Sequence, residues 1–240
     1  SGAANVLDGG DGHDFMRGLD GNDTMIGGNG DDIYLVDSTG DTVTEQPGDG
    51  FDSVFSSASF TLGANVEELT LVGAANVAGT GGAGDNGIFG NLGNNTLSGA
   101  GGNDTLLGGG GTDTLLGGEG DDTLTGGEGI DTLTGDAGID AFDFNSLDGS
   151  VDVITDFDTG EGGDILDLSD LLVGFDEGAD ILGDFVKFVQ QGADTLIQVN
   201  ADGTGVDFVS VALLQNVTLT LGAAVADGNI TPDGGDAAPA

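Results

Sequence analysis

The feature that most limits what this chain can become is a nine-residue period in which glycines, an aspartate and one large apolar residue return at fixed places. The pattern Gly-Gly-x-Gly-x-Asp-x-U-x, with U apolar, opens at Gly9-Gly10-Asp11-Gly12-His13-Asp14-Phe15-Met16-Arg17 and continues from Gly18 to Ile26 and from Gly27 to Leu35. Asn5-Val6-Leu7 is the tail of a degenerate unit before it. A second array keeps one register from Gly81 to Asp143. Asn86 and Asn95 stand at its aspartate position first, then Asp104, Asp113, Asp122, Asp131 and Asp140. Its U position reads Ile88, Leu97, Leu106, Leu115, Leu124, Leu133 and Phe142.

Each unit supplies a glycine-rich turn, in conformations closed to most residues, and a strand triplet whose middle side chain points inward. Two units make one coil of a flattened spiral. Units i and i+2 therefore stack as parallel neighbours, and every second aspartate joins one turn column. Bare carboxylates about 4.8 Å apart repel one another. The chain cannot relieve this itself, because 43 acidic residues face only 2 basic ones, Arg17 and Lys187, for a net charge of -41. A bound cation is the simplest remedy. Calcium fits, since it takes six to eight oxygen ligands in flexible geometry and the turns can add backbone carbonyls; magnesium demands a stricter octahedron. The arrays are expected to be unfolded without calcium, because two inward apolar residues per coil return less than ordering the coil costs.

The same composition, acidic, rich in glycine and poor in aromatics, is also that of disordered chains, and the unbroken period argues against disorder. Nucleic acid and anionic membrane surfaces are poor partners for such a charge. No stretch is long and apolar enough to span a membrane. The absence of cysteine excludes disulfides and thiolate metal sites. The start at Ser1-Gly2, with neither an initiator methionine nor a signal segment, is read as a piece of a longer polypeptide with upstream domains.

The arrays resemble the RTX repeats of proteins exported by type I secretion systems. The resemblance implies an all-β, calcium-loaded parallel β-roll in two arrays, with a β spacer between them and a C-terminal β cap. It also implies one calcium between successive turns of a column, held by aspartates and turn carbonyls. The pairs that match are Asp14 with Asp32, Asp104 with Asp122, Asp113 with Asp131 and Asp122 with Asp140. The carbonyls implied are those of the second and fourth turn positions of one unit and the first and third of its partner. For the first pair these are Gly10, Gly12, Gly27 and Asn29. For the second they are Ala100, Gly102, Gly117 and Glu119; for the third, Gly109, Gly111, Gly126 and Glu128; for the fourth, Gly118, Gly120, Gly135 and Ala137. Asp23 has only Asn5 as a column partner, and Asn95 stands opposite Asp113.

Residues 1–35 are thus the first array and 81–143 the second. Residues 36–80 read as a separate element of strands around Pro47-Gly48-Asp49-Gly50, packing against the rolls and resembling a spacer common between RTX blocks. Residues 144–221 read as a cap. In them Val151 to Ser169 resembles the segment that closes RTX rolls, with Asp156, Asp158, Asp164 and Asp167 as candidates for a further calcium, and 181–221 alternate as an antiparallel hairpin or meander around Gly192. Residues 222–240 read as a flexible tail that, with the chain from about Phe185, is implied by the resemblance to carry the export signal.

No catalytic constellation appears. His13 is the only histidine and lies at a variable repeat position, so neither a two-histidine zinc helix nor a serine triad can be built, and the carboxylate pairs have repeat spacing. The chain therefore reads as a non-catalytic calcium-dependent folding and secretion module of a large extracellular adhesin, with calcium and the type I secretion machinery as partners. Two alternatives stay open: an accessory module of a secreted protease, lipase or polysaccharide-modifying enzyme, and an ice- or glycan-binding face on Thr105, Thr114, Thr123 and Thr132.

Overall fold

The computed structural model describes residues 2–172, 182–204 and 206–231. Their short strands stack into two facing parallel ladders, since each extended triplet is followed by a turn that carries the chain to the opposite side. One face is a sheet of ten parallel strands: Phe15–Arg17, Ile33–Val36, Ser53–Ser56, Glu68–Leu71, Gly87–Phe89, Thr105–Gly110, Thr123–Glu128, Ala141–Asp143, Ile165–Asp167 and Ile230–Thr231. The other face begins with three strands, Val6–Asp11, Thr24–Asn29 and Thr42–Thr44. It resumes in a nine-stranded sheet through Phe60–Thr61, Ala78–Thr80, Thr96–Gly101, Thr114–Glu119, Thr132–Ala137 and Asp152–Ile154.

The pairing register places Leu106 opposite Leu124, Leu97 opposite Leu115 and Leu115 opposite Leu133, so each U residue lies beside the U residue two units on. These leucines, with Ile88 and Phe142, are completely buried and form one apolar column along the roll. The fold is the all-β parallel roll that the period predicts.

The ten-stranded face runs without a break through residues 36–80, so the stretch read as a separate spacer supplies coils of the roll, and both arrays belong to one solenoid. Its strands pair in parallel, Ile33 with Ser53 and Ser53 with Glu68. The nine-residue rule misses these coils because their lengths vary: equivalent positions lie 20 residues apart from Asp32 to Asp52 and 15 from Asp52 to Glu67. The outward threonines also divide differently from a single column. Thr105 pairs with Thr123 on one face and Thr114 with Thr132 on the other.

At the C-terminal end, Val209–Leu214 adds in parallel to Asp152–Ile154, and Asp194–Val199 and Val186–Gln191 complete an antiparallel meander. The flexible tail needs correction over residues 222–231. Leu221–Asp227 is a helix, capped by Thr220, whose hydroxyl accepts from Ala223 N–H at 3.3 Å, and stopped by Gly228 in the left-handed conformation. Ile230–Thr231 then joins the ten-stranded face beside Ile165–Asp167, with Ile230 buried. Small residues hide this helix from a compositional reading, yet its cap and stop stand in the sequence. Residues 232–240 of the expected tail lie outside the described residues.

Candidate metal centre

The turn column is built from the aspartates. Each offers Oδ1 to the backbone N–H of the aspartate one coil before it: Asp14 donates to Asp32 at 2.7 Å, Asp104 to Asp122 at 2.8 Å, Asp113 to Asp131 at 2.7 Å and Asp122 to Asp140 at 2.9 Å. The donor and acceptor lie 18 residues apart, one coil of the regular array. All of these side chains except Asp14 are buried.

The second oxygen is the chemically informative one. Oδ2 of Asp14, Asp23, Asp32, Asp52, Asp104, Asp113, Asp122 and Asp131 is buried with no hydrogen-bond partner. An unpaired buried carboxylate oxygen is costly. Among the described residues nothing cationic relieves it, since the one ion pair there joins His13 to Asp31 at 3.8 Å on the surface.

What these oxygens face is equally specific. A β-carbon at Gly117 would collide with Asp122 Oδ2 and stand 2.7 Å from the carbonyl oxygen of Gly135. The carboxylate of one unit and the first-position carbonyl of its partner thus converge on space that only a glycine leaves free. The same convergence joins Asp14 with the Gly27 carbonyl, Asp104 with that of Gly117, and Asp113 with that of Gly126.

The other expected carbonyls lie along the same column. Third-position carbonyls each accept from the fourth-position N–H of the preceding coil: Asn29 from Gly12 at 2.7 Å, Glu119 from Gly102 at 2.8 Å, Glu128 from Gly111 at 2.9 Å and Ala137 from Gly120 at 2.8 Å. Each keeps a second lone pair. The carbonyls of Gly10, Gly12, Ala100, Gly102, Gly109, Gly111 and Gly120 press against the next coil's second or fourth turn residue. The second place requires a left-handed backbone, taken by Gly118 at φ 122° and, without glycine, by Ala100 at 78° and Asp136 at 67°.

Burial pushes Asp104 and Asp113 up to about 6 and Asp140 up to about 7, against the opposing pull of the ladder hydrogen bonds; Asp122 and Asp131 move the same way. Neighbouring carboxylates add to the rise, Asp122 acting on Asp104 and Asp131 on Asp113. The environment disfavours the ionised column while supplying only oxygen donors. A hard dication meets both conditions, and the donor set fits calcium.

The ladder also reaches residues the repeat period misses. Asp23 N–H donates to Asp41 Oδ1, Asp32 to Asp52, Asp52 to Glu67, Asp131 to Asp152 and Asp140 to Asp164. Asp23, paired in sequence only with Asn5, therefore has a partner on each side. A signal for these acids is present: each stands two residues before a buried apolar side chain, Val43, Val54, Leu69, Ile154 or Leu166, repeating the Asp-x-U end of the motif without its glycines.

The further calcium expected at Asp156, Asp158, Asp164 and Asp167 is not assembled as a cluster. Asp156 accepts from Gly135 and Asp136, Asp158 from Gly160, Asp167 from Ser169, and Asp164 from Asp140 and Asp158, so these carboxylates cap turns and coil edges.

A family model for the RTX calcium-binding nonapeptide repeat matches four copies over residues 1–38, 80–115 and 116–146. Among solved structures, a subunit of the mannuronan C5-epimerase from Azotobacter vinelandii is 31% identical, with 66% of this chain and 83% of that chain covered and a TM-score of 0.30. The extracellular lipase from Serratia marcescens is 20% identical, with 96% of this chain and 38% of that chain covered and a TM-score of 0.22. No curated protein matches the chain in sequence. Asp14, Asp32, Asp104, Asp113, Asp122, Asp131 and Asp140 all lie within the matched repeats, and the chain belongs to the RTX family of calcium-binding nonapeptide-repeat proteins.

Proposed function

We propose that this roll is a calcium-dependent folding and secretion module of a large extracellular protein, an adhesin exported by a type I secretion system, whose other domains it helps to deliver. The observation that carries the reading is the row of buried Oδ2 atoms without partners, because it ties closure of the roll to an ion that is scarce in a cytosol and abundant outside. Calcium supplies the positive charge that lets these carboxylates be buried side by side. Without it, Asp104, Asp113, Asp122, Asp131 and Asp140 repel within their columns, and the extended acidic chain can thread an export channel. Outside, closure of the coils opposes its return. Ligation is assigned to these aspartates, to Asp14 and Asp32, and to the turn carbonyls facing them, and the chain itself is assigned no catalysis.

Circular dichroism across a calcium titration tests the reading. The calcium-stripped protein should lack a strand spectrum and gain one at roughly 0.1 to 1 mM calcium, with magnesium unable to substitute. A native-like strand spectrum in excess chelator would falsify the module. The sequence of the full-length polypeptide tests the adhesin: tandem β-sandwich repeats upstream support it, and an enzyme domain there replaces it.

A further inference from the structure

At the last coil of the first array the turn column changes its chemistry. In the regular array the oxygen that meets an aspartate Oδ2 is a backbone carbonyl, as Gly135 O meets Asp122. At Gly27 a β-carbon would instead collide with three side-chain oxygens at once: Asp32 Oδ2, Tyr34 Oη and Glu45 Oε1. Oxygens of Asp32, Glu45 and Asp52 all lie within 4.8 Å of one another, and all three residues are buried. The next coil is long, with Asp52 standing 20 residues after Asp32, and the second face is split between Thr42–Thr44 and Phe60–Thr61. Glu45 follows the Ile26–Thr44 pair as Gly27 does, so it stands at a first turn position and brings a carboxylate to this spot, while the turn after it stacks the Asp49 carbonyl on Gly30 N–H at 2.5 Å.

Glu45 is fixed in place by the chain it faces. Its carboxylate accepts from Gly27 N–H at 3.1 Å and from Gly28 N–H at 3.4 Å. Asp52 Oδ1 accepts from Asp32 N–H at 2.8 Å, leaving Asp52 Oδ2 and Asp32 Oδ2 without partners. Tyr34 gives an independent indication. It occupies the U position, where the second array has leucine, isoleucine or phenylalanine, it has no exposed surface, and its hydroxyl has no hydrogen-bond partner. A hydroxyl in an apolar column is unfavourable unless something at the column's edge uses it. Its oxygen is aimed into the carboxylate cluster.

We propose that Asp32, Glu45, Asp52 and the Tyr34 hydroxyl form a separate calcium site at the exit of the first array, of higher charge than the repeat sites and filled before them. The Glu45 carboxylate joins those of Asp32 and Asp52, so three acids converge where a repeat site has two, and calcium affinity rises with the charge of the ligand set. The hydrogen bonds from the Gly27 and Gly28 amides to Glu45 form together with the site and add to the stability of the first bound ion. Filling it first would hold the last Gly-Asp unit against the first irregular coil, at the point where one face of the roll is interrupted.

The chain carries its own reporter, since Tyr34 is its only tyrosine and it has no tryptophan. Terbium is added stepwise to the calcium-stripped full-length chain, with excitation at the tyrosine band. Most of the sensitised emission should appear with the first equivalent, ahead of the strand signal in circular dichroism, and calcium should displace it. Glu45→Gln should lower that first-equivalent emission about fivefold or more. Emission that grows only in step with the strand signal in the unaltered chain, or that is the same in Glu45→Gln, overturns the site. Should Glu45→Gln fail to fold, Tyr34→Phe keeps the ring and removes the ligand. Competition against a chromophoric chelator should then show several-fold weaker binding at the tightest site, and unchanged binding there refutes the assignment. The site rests on calcium-driven folding of the roll, but the two fail separately. A chain that gains no strand signal with calcium breaks the folding reading, whereas one that folds while Tyr34 reports no early ion breaks only this site.

Discussion

Asparagine coils and aspartate coils share one roll and one apolar column, yet they close by different chemistry. In the first, Asn86 Oδ1 accepts from Gly82 N–H at 2.7 Å while its Nδ2 donates to the Val66 carbonyl at 3.0 Å. Asn95 does the same with Asn91 N–H at 2.8 Å and the Val77 carbonyl at 2.9 Å. In the second, an ionised aspartate brings acceptors only, and its Oδ2 finds no donor. Ile88 and Leu97 are as completely buried as Leu115 or Leu124, so the core does not separate the two kinds of coil. One atom per coil sets the need for a cation. The asparagines of the stretch from Gly81 to Ser98 satisfy both ends of their amides, reaching back to the Val66 and Val77 carbonyls, whereas Asp104, Asp113, Asp122 and Asp131 each leave a buried oxygen without a partner.

The hardest test exchanges the chemistry where it matters most. Asp113→Asn with Asp122→Asn removes carboxylates that each stand between two coils of the second array. Calorimetry should count about two fewer calcium ions, and the calcium needed for folding should rise about tenfold. The calcium-stripped variant should also hold more strand structure than the unaltered chain, because an amide carries its own donor and no charge. Loss of calcium without that gain would mean that the asparagine coils owe their closure to something other than the side-chain amide.

Acidity separates the two kinds of coil less sharply. Folded-state values for Asp104 and Asp113 near 6 and for Asp140 and Asp152 near 7 lie above the unfolded value of 3.8, mainly through burial. The folded, calcium-free state therefore binds protons more tightly than the unfolded one. Its stability is highest below about pH 4 and falls as pH rises through about 6 to 7. Calcium-stripped protein should show more strand signal at about pH 5 than at about pH 8. The calcium midpoint should move several-fold higher from about pH 8 to about pH 6, because protons and calcium compete for the same oxygens. A titration independent of pH would sink this account of the column.

Much of this was legible in the residues. The U series and the register of Asp104 to Asp140 specify the roll and its column, since a fixed period leaves one way to bury every leucine. The coils of residues 36–80 were harder to read because Asp41, Asp52 and Glu67 keep the acid two residues before an apolar side chain but lose the glycines and the constant spacing. Glu45 stands at a first turn position, following the Ile26–Thr44 pair as Gly27 does, but the motif has glycine there and gives no sign of a ligand. Its closeness to Asp32 and Asp52 is a feature of the assembled coils. The C-terminal helix was missed for the opposite reason. Thr220 and Gly228 mark its ends plainly, but a run of glycine and alanine suggested a loose end.

The finest discrimination comes from placing a single aspartate among the asparagine coils. Asn95→Asp keeps the shape of the side chain and leaves Leu97 buried. It removes the Nδ2 donor that meets the Val77 carbonyl and puts a charged oxygen beside the Asn91 N–H. Asp113 then has a carboxylate partner one coil before it, so a further ion can be shared by the two. The variant should require about threefold more calcium to fold, because one self-satisfied turn has been lost, and should bind one ion more by calorimetry. An unchanged calcium midpoint with no added ion would show that coil geometry, set by the glycines around position 95, decides calcium dependence ahead of the acid itself. A raised midpoint with an added ion would locate the dependence in the one atom that distinguishes aspartate from asparagine.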